Sequence, residues 1–258
     1  MTNKEISFFR KWFSDYCKSF YSHNEEDNKN ISVKEHHTLN VCQNAVLIAK
    51  NLSLDENSLL LAEASALFHD LGRFRQYALY KTFIDRDSVN HGVLGAEILA
   101  KEKVLEHLPE NEQRLIIETV RFHNAFKLPR LNNKEIIKNL KIIRDADKLD
   151  IWQVLAKYYI STAEDRPSAV SLGMPDTPEY SRDIILSILN KQMAFLKDVK
   201  TLNDFKLLQL SWVYDINFPA SLNLLIERGH IMEIADTLPQ TEDIRNAVRY
   251  IQRYLTGK

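Results

Sequence analysis

Apolar side chains along this chain recur every three to four residues in nearly every window longer than ten, and strict alternation is rare. That period puts the apolar positions on one face of a helix, so the pattern predicts an all-α fold. Phe8, Phe9, Trp12, Phe13, Tyr16 and Phe20 form the first stripe, and the polar run His23 to Asn30 predicts a loop after it. A second helix is expected from about Ser32, with His37, Val41, Ala45, Ile48 and Leu52 on one side. A third, from about Glu56, carries Leu60, Leu61, Ala64, Leu67 and Phe68 and runs into His69, Asp70 and Gly72, where the glycine suggests a stop. Arg73 to Asp87 looks like a polar, aromatic-rich loop, and Ser88 is placed to cap a fourth helix bearing His91, Leu94, Gly95, Ile98 and Leu99. The fifth, from about Asn111, has Leu115, Ile116, Thr119, Val120 and His123 in register. The sixth, from about Asn133, presents Ile136, Leu140, Ile143, Asp147, Ile151, Val154 and Tyr158.

Pro167, Pro175 and Pro178 fall with Gly173 in one stretch, which predicts a long loop or subdomain boundary. Three further apolar faces follow: Ile184 to Leu196, Leu202 to Trp212, and Ile244 to Leu255. Asn217 with Pro219 should open a short helix that Gly229 closes. The expected organisation is one all-helical domain over 1–258, with a core over 32–165 and a C-terminal helical extension over 176–258.

Composition sharpens this picture. Six glycines among 258 residues, against an average usage of roughly 7%, leave little for glycine-rich phosphate loops. Lys+Arg 34 against Asp+Glu 35 gives a net charge of -1, so there is no sequence-wide signal for nucleic acid or an anionic membrane. Cys17 and Cys42 cannot build a disulfide framework; with no signal peptide visible, they point to a reducing, cytoplasmic setting. No apolar run approaches the ~20 residues that span a bilayer, so no membrane partner is expected.

Ionisable groups interrupt the apolar faces in five places. His37, His69 with Asp70, His91, His123 and Asp147 each lie on, or at the end of, the buried stripe of a different helix. Burying such groups without a partner costs several kcal/mol, and each alone could be a satisfied core residue. Together they converge on a metal centre, because imidazole nitrogen and carboxylate oxygen suit Fe, Mn, Zn, Ni or Co better than Mg. Four imidazoles and two carboxylates exceed the needs of one ion, so two divalent transition-metal ions are the expected cofactors, with Asp70 able to bridge them. His36 competes with His37 for the first position; Val41, Ala45 and Ile48 share the face of His37 and favour it.

The order His37, His69-Asp70, Asp147 resembles the HD superfamily of metal-dependent phosphohydrolases, all-α helical bundles. The strings His37-Thr-Leu-Asn-Val41, Ala66-Leu-Phe-His-Asp-Leu-Gly-Arg73 and Asp145-Ala-Asp-Lys-Leu-Asp150 carry the resemblance in that order. His91-Gly-Val-Leu-Gly-Ala-Glu97 and Arg121-Phe-His-Asn124 resemble the extra histidine segments of its dinuclear members. The resemblance covers about Ser32 to Tyr159 and makes 32–165 the HD metal-binding core. It implies a first metal on His37, His69, Asp70 and Asp147 and a second on Asp70, His91 and His123. The glycine-tyrosine-proline elaboration is absent, so cyclic di-GMP hydrolysis is not favoured. Arg73 stands where a lysine is common.

The implied activity is that of a phosphomonoesterase or phosphodiesterase acting on a nucleotide or another small phosphorylated metabolite through a metal-activated bridging water. Asp70, Arg73 and Lys148 are the candidate catalytic groups, and Arg73, Arg75 and Lys148 the candidate phosphate binders, with a solvated surface charge the competing reading for each. Phe74, Tyr77, Tyr80 and Phe83 could stack on a base or fill the core. Two alternatives remain open: a di-iron oxygenase using the same ligands, and a non-catalytic regulatory module.

Overall fold

The computed structural model of the protein describes residues 1–161 and 173–257. Among them every regular element is helical and none is a strand, as the three-to-four spacing requires. Pro167 and the expected core boundary at 165 lie outside the described residues. Two compact units are present: the first holds Met1–Asp150, and the second takes in the chain from Ile151 and from Gly173 onward.

The first unit is built from α1 (Asn3–Lys18), α2 (Glu25–Asn51), α3 (Glu56–Phe68), α4 (Leu71–Tyr80), α5 (His91–Lys101), α6 (Glu110–Phe122) and the first part of α7 (Lys134–Ile160). A capping box between Thr2 and Glu5 starts α1, whose Ile6, Phe9, Phe13 and Cys17 are buried. Phe9 meets Phe68 edge-on at 5.4 Å, and Phe13 meets Phe74 at 5.8 Å. Every residue of α3 from Leu60 to Phe68 is buried, so this helix is the centre of the unit. Cys17 and Cys42 are buried free thiols, small packing residues as expected.

Several local expectations need correction. The polar run His23 to Asn30 is not all loop: α2 begins at Glu25, because Asn24 accepts the Asp27 amide and three acidic residues in the first turn suit the helix N-terminus. Asn30 is buried and donates to the Tyr77 hydroxyl at 3.0 Å, so a polar residue belongs to the packed face. Arg73 to Asp87 likewise is not one loop, since Leu71, Phe74 and Tyr77 are the buried stripe of α4. Phe83 is buried with them and Tyr80 is exposed, which makes this aromatic group mainly core. Asn90, and not Ser88, caps α5 by accepting the Val93 amide.

Gly72 is also not a stop. It lies in the first turn of α4, where a Cβ would collide with the His91 carbonyl oxygen and come within 2.9 Å of the Gly95 nitrogen. On Gly92 a Cβ would lie 2.9 Å from the Val120 and Arg121 carbonyl oxygens, and on Gly95 3.1 Å from Val120 Cγ1. Three glycines therefore let α4, α5 and α6 approach backbone to backbone.

The second unit contains the rest of α7 with α8 (Arg182–Leu189), α9 (Leu202–Ser211), α10 (Pro219–Arg228), α11 (His230–Asp236) and α12 (Glu242–Thr256). Every residue of α9 is buried, and its Gln209 accepts from Trp152 Nε1 at 3.0 Å and from the Tyr159 hydroxyl at 2.9 Å. Pro219 opens α10 and Gly229 closes it at φ 73°, as expected. The apolar face from Ile184 to Leu196 is shorter than its spacing suggests: α8 ends at Leu189, and Leu196 sits in a separate 3-10 turn. No helix among the described residues is long and apolar enough to cross a membrane.

Candidate metal centre

Four helices of the first unit and the corner between two more deliver the six residues that break the apolar pattern. His37 projects from the middle of α2, His91 opens α5, His123 ends α6 and Asp147 lies on α7. His69 and Asp70 form the corner between α3 and α4. His69 keeps helical angles, but Asp70 sits at φ -98°, ψ 14°, so the two side chains are freed from the fixed 100° offset of helical neighbours. His37, His69, Asp70, His91 and His123 are all buried, and Asp147 retains 19% side-chain exposure.

The six meet in one cluster with Asp70 at its middle. Asp70 Oδ2 lies 3.7 Å from His37 Nε2 and 3.7 Å from His69 Nε2, and Asp147 Oδ1 lies 3.0 Å and 3.7 Å from the same two nitrogens. Asp70 Oδ1 faces the other way, 3.3 Å from His91 Nε2 and 3.7 Å from His123 Nε2. The ligand atoms of His37, His69 and Asp70, and those of Asp70, His91 and His123, are each close enough to share one ion. His36 is exposed and bonds Ser32 of its own helix, so of the two adjacent histidines it is His37 that lies in the cluster.

Outer partners decide which ring nitrogen faces inward. His69 Nδ1 donates to the Ala66 carbonyl at 2.6 Å, His123 Nδ1 to Val120 at 2.8 Å, His91 Nδ1 to Asp85 at 2.8 Å and His37 Nδ1 to Asp150 at 2.6 Å. With Nδ1 held by an outer acceptor in each ring, the neutral form of each imidazole turns its Nε2 lone pair to the cluster. The His91 and His123 Nε2 atoms are 3.0 Å apart, and those of His37 and His69 3.3 Å. Lone pairs so close need a cation or proton between them, so the donor set fits divalent metal ions.

Without an ion the surrounding charges favour a proton on His37 Nε2, against Asp147, in the place where an ion would sit. Burial disfavours a charged His37, yet its hydrogen bonds to Asp147 and Asp150 outweigh that and raise its pKa to about 9. Burial and the Arg73 charge hold His91 down to about 3, a neutral imidazole at ordinary pH. Against their burial, Asp70 is kept well below the usual carboxylate range by Lys34 and His69, and Asp147 by hydrogen bonds from His37 and His69.

The candidate cations are placed unequally. Arg73 Nη1 donates to Gln76, to the Phe83 carbonyl and to Asp85, and its Nε lies 3.5 Å from Asp70 Oδ1. Lys148 is buried beside Asp147, with its ammonium 3.5 Å from the Arg144 carbonyl oxygen. Arg75 is exposed on α4 near Tyr16 and is not brought into the cluster.

Three residues of the site are not marked by the apolar pattern. Asp85, in a 3-10 turn at Asp85–Asp87, gathers His91, Arg73, Gln76 and Asn124. Asp150 is fully buried under His37. Lys34 pairs with Asp70 Oδ2 at 2.8 Å. Lys34 and Asp85 lie among other charges, where nothing separates them from a solvated face; three-residue spacing from Asp147 on α7 was the available hint for Asp150.

Residues 35–152 fit the family model of the HD domain, and that span includes all six cluster residues. No curated protein and no solved structure matches the chain.

Proposed function

Because residues 35–152 form an HD domain, whose superfamily consists mostly of metal-dependent hydrolases, we propose that the chain is a metal-dependent phosphohydrolase. Its substrate would be a nucleotide or another small phosphorylated metabolite, cleaved as a phosphomonoester or phosphodiester. The observation that carries this proposal is the two-sided carboxylate: Asp70 turns one oxygen to His37 and His69 and the other to His91 and His123. On this basis one divalent ion would be held by His37, His69, Asp70 and Asp147, and a second by Asp70, His91 and His123. Bound there, such ions supply charge neutralisation for a phosphate and acidify a water.

The chain's own residues do the rest. The four Nδ1 hydrogen bonds aim the imidazoles before any ligand arrives, so little reorganisation is needed on binding. Asp147, the most exposed of the six, marks the side from which a substrate enters. Arg73, fixed against Asp70 and Asp85, adds positive charge beside the second ligand group.

The test is phosphate release from a panel of nucleotides and sugar phosphates by protein loaded with Mn²⁺, Fe²⁺, Ni²⁺ or Mg²⁺, alongside the Asp70→Asn variant. Metal-dependent release is expected, with both metal binding and turnover in the variant falling beyond the roughly 10–100-fold that loss of an outer partner costs. Iron-dependent O₂ uptake without phosphate release would refute the hydrolase proposal.

A further inference from the structure

Lys34 is not among the cations that the sequence pattern offers for phosphate, yet its ammonium reaches a cluster oxygen. It lies one helical turn before His37 on α2, so the two side chains leave the same face. Its Nζ is 2.8 Å from Asp70 Oδ2, the oxygen that also faces His37 and His69 at 3.7 Å each. Among the described residues Asp70 is its one carboxylate partner. The ammonium lies 5.3 Å from the centre of the Phe83 ring, and the side chain keeps 17% exposure.

Arg73, on the other side of Asp70, contrasts with it. Gln76, Phe83 and Asp85 all accept from the Arg73 guanidinium, which fixes it in place. Asp70 thus has a pinned cation beside Oδ1 and a movable one on Oδ2, since a lysine ammonium rides on a flexible four-carbon stem with no second carboxylate to retain it.

A divalent ion shared with His37 and His69 would need the same Oδ2 lone pairs, and two cations cannot occupy one oxygen at that distance without strong repulsion. We infer that Lys34 is a displaceable counter-ion: it neutralises Asp70 when no metal is bound, and is released by the metal to bind the substrate's phosphate group. The inference rests on the metal centre proposed above. A compact ammonium with three donors suits a phosphate as a point charge, and the partial exposure of Lys34 leaves it room to turn outward.

The experiment compares the wild-type full chain with Lys34→Met, which keeps an apolar stem against Phe83, and Lys34→Gln. Mn²⁺ is titrated first without any substrate; inorganic phosphate is then titrated into the Mn²⁺-loaded proteins, and circular dichroism checks that each is folded. Removing a competing charge should tighten Mn²⁺ binding about three- to tenfold, while phosphate binding weakens about tenfold through loss of a charged hydrogen bond. Opposite shifts are the signature, because a lysine that merely braced Asp70 would weaken metal binding when removed. If Mn²⁺ affinity is unchanged or lower in both variants, or phosphate affinity is undiminished, the role of Lys34 is overturned while the metal centre stands. If the wild type itself fails to bind Mn²⁺, the metal centre falls and Lys34 with it.

Discussion

Each cluster histidine hands its Nδ1 to the protein, and two of the four give it to a carboxylate, His37 to Asp150 and His91 to Asp85. A carboxylate behind an imidazole fixes the ring and makes its inner nitrogen a better donor. Asp150→Asn should therefore lower metal affinity about 10–100-fold with helicity unchanged; competition with a chelator, read beside circular dichroism, measures it, and an affinity equal to wild type would contradict the role given to Asp150. The histidines and Asp147 were legible in the sequence because an ionisable group on an apolar stripe is out of place there. Asp85, Asp150 and Lys34 were hidden for the opposite reason. Each serves a partner that only folding brings close, as with Asp150 and His37, which are 113 positions apart along the chain.

Among the elements, apolar spacing located most of the helices, and its misses share a cause. Spacing sees the packed face but not the caps or close contacts that begin and end a helix. Asn24 capping α2 and Asn90 capping α5 moved those starts away from Ser32 and Ser88. Gly72 shows the same limit, since a glycine after an apolar run suggests a stop until the neighbouring backbone is known. Gly72→Ala should cost about 3 kcal/mol, because the obstacle is rigid backbone in α5 and not a side chain that can turn away. In a protein of this size that corresponds to a fall in Tm of roughly 6–12 °C. Gly229→Ala is the contrast: nothing lies within 4 Å of the added methyl, and the left-handed backbone alone should cost about 1 kcal/mol. Thermal melts that ranked the two equally would remove the close-approach argument.

For the whole molecule, the division into two units separates what a metal touches from what it does not. All six cluster residues and both carboxylate partners lie within Met1–Asp150. Metal at a hundredfold excess over its Kd should add about 2.7 kcal/mol to that unit. Hydrogen exchange should then slow in α2 to α6 and in α7 up to Asp150, with α8 to α12 unaffected; a uniform slowing along the chain would contradict a local site. The all-α class and the meeting of distant ionisable groups were legible at this scale, since both follow from periodicity. A bridging Asp70 was expected from the ligand count; what periodicity could not supply is the corner between α3 and α4 that turns its two oxygens to opposite sides. The glycines among α4, α5 and α6 bear on how such centres are lost. A single added methyl at Gly72 or Gly92 could dismantle the geometry while leaving every metal-binding side chain in place. A survey that infers activity from intact histidines and aspartates alone would count such a chain as competent, so the spacer positions belong in the fingerprint on equal terms.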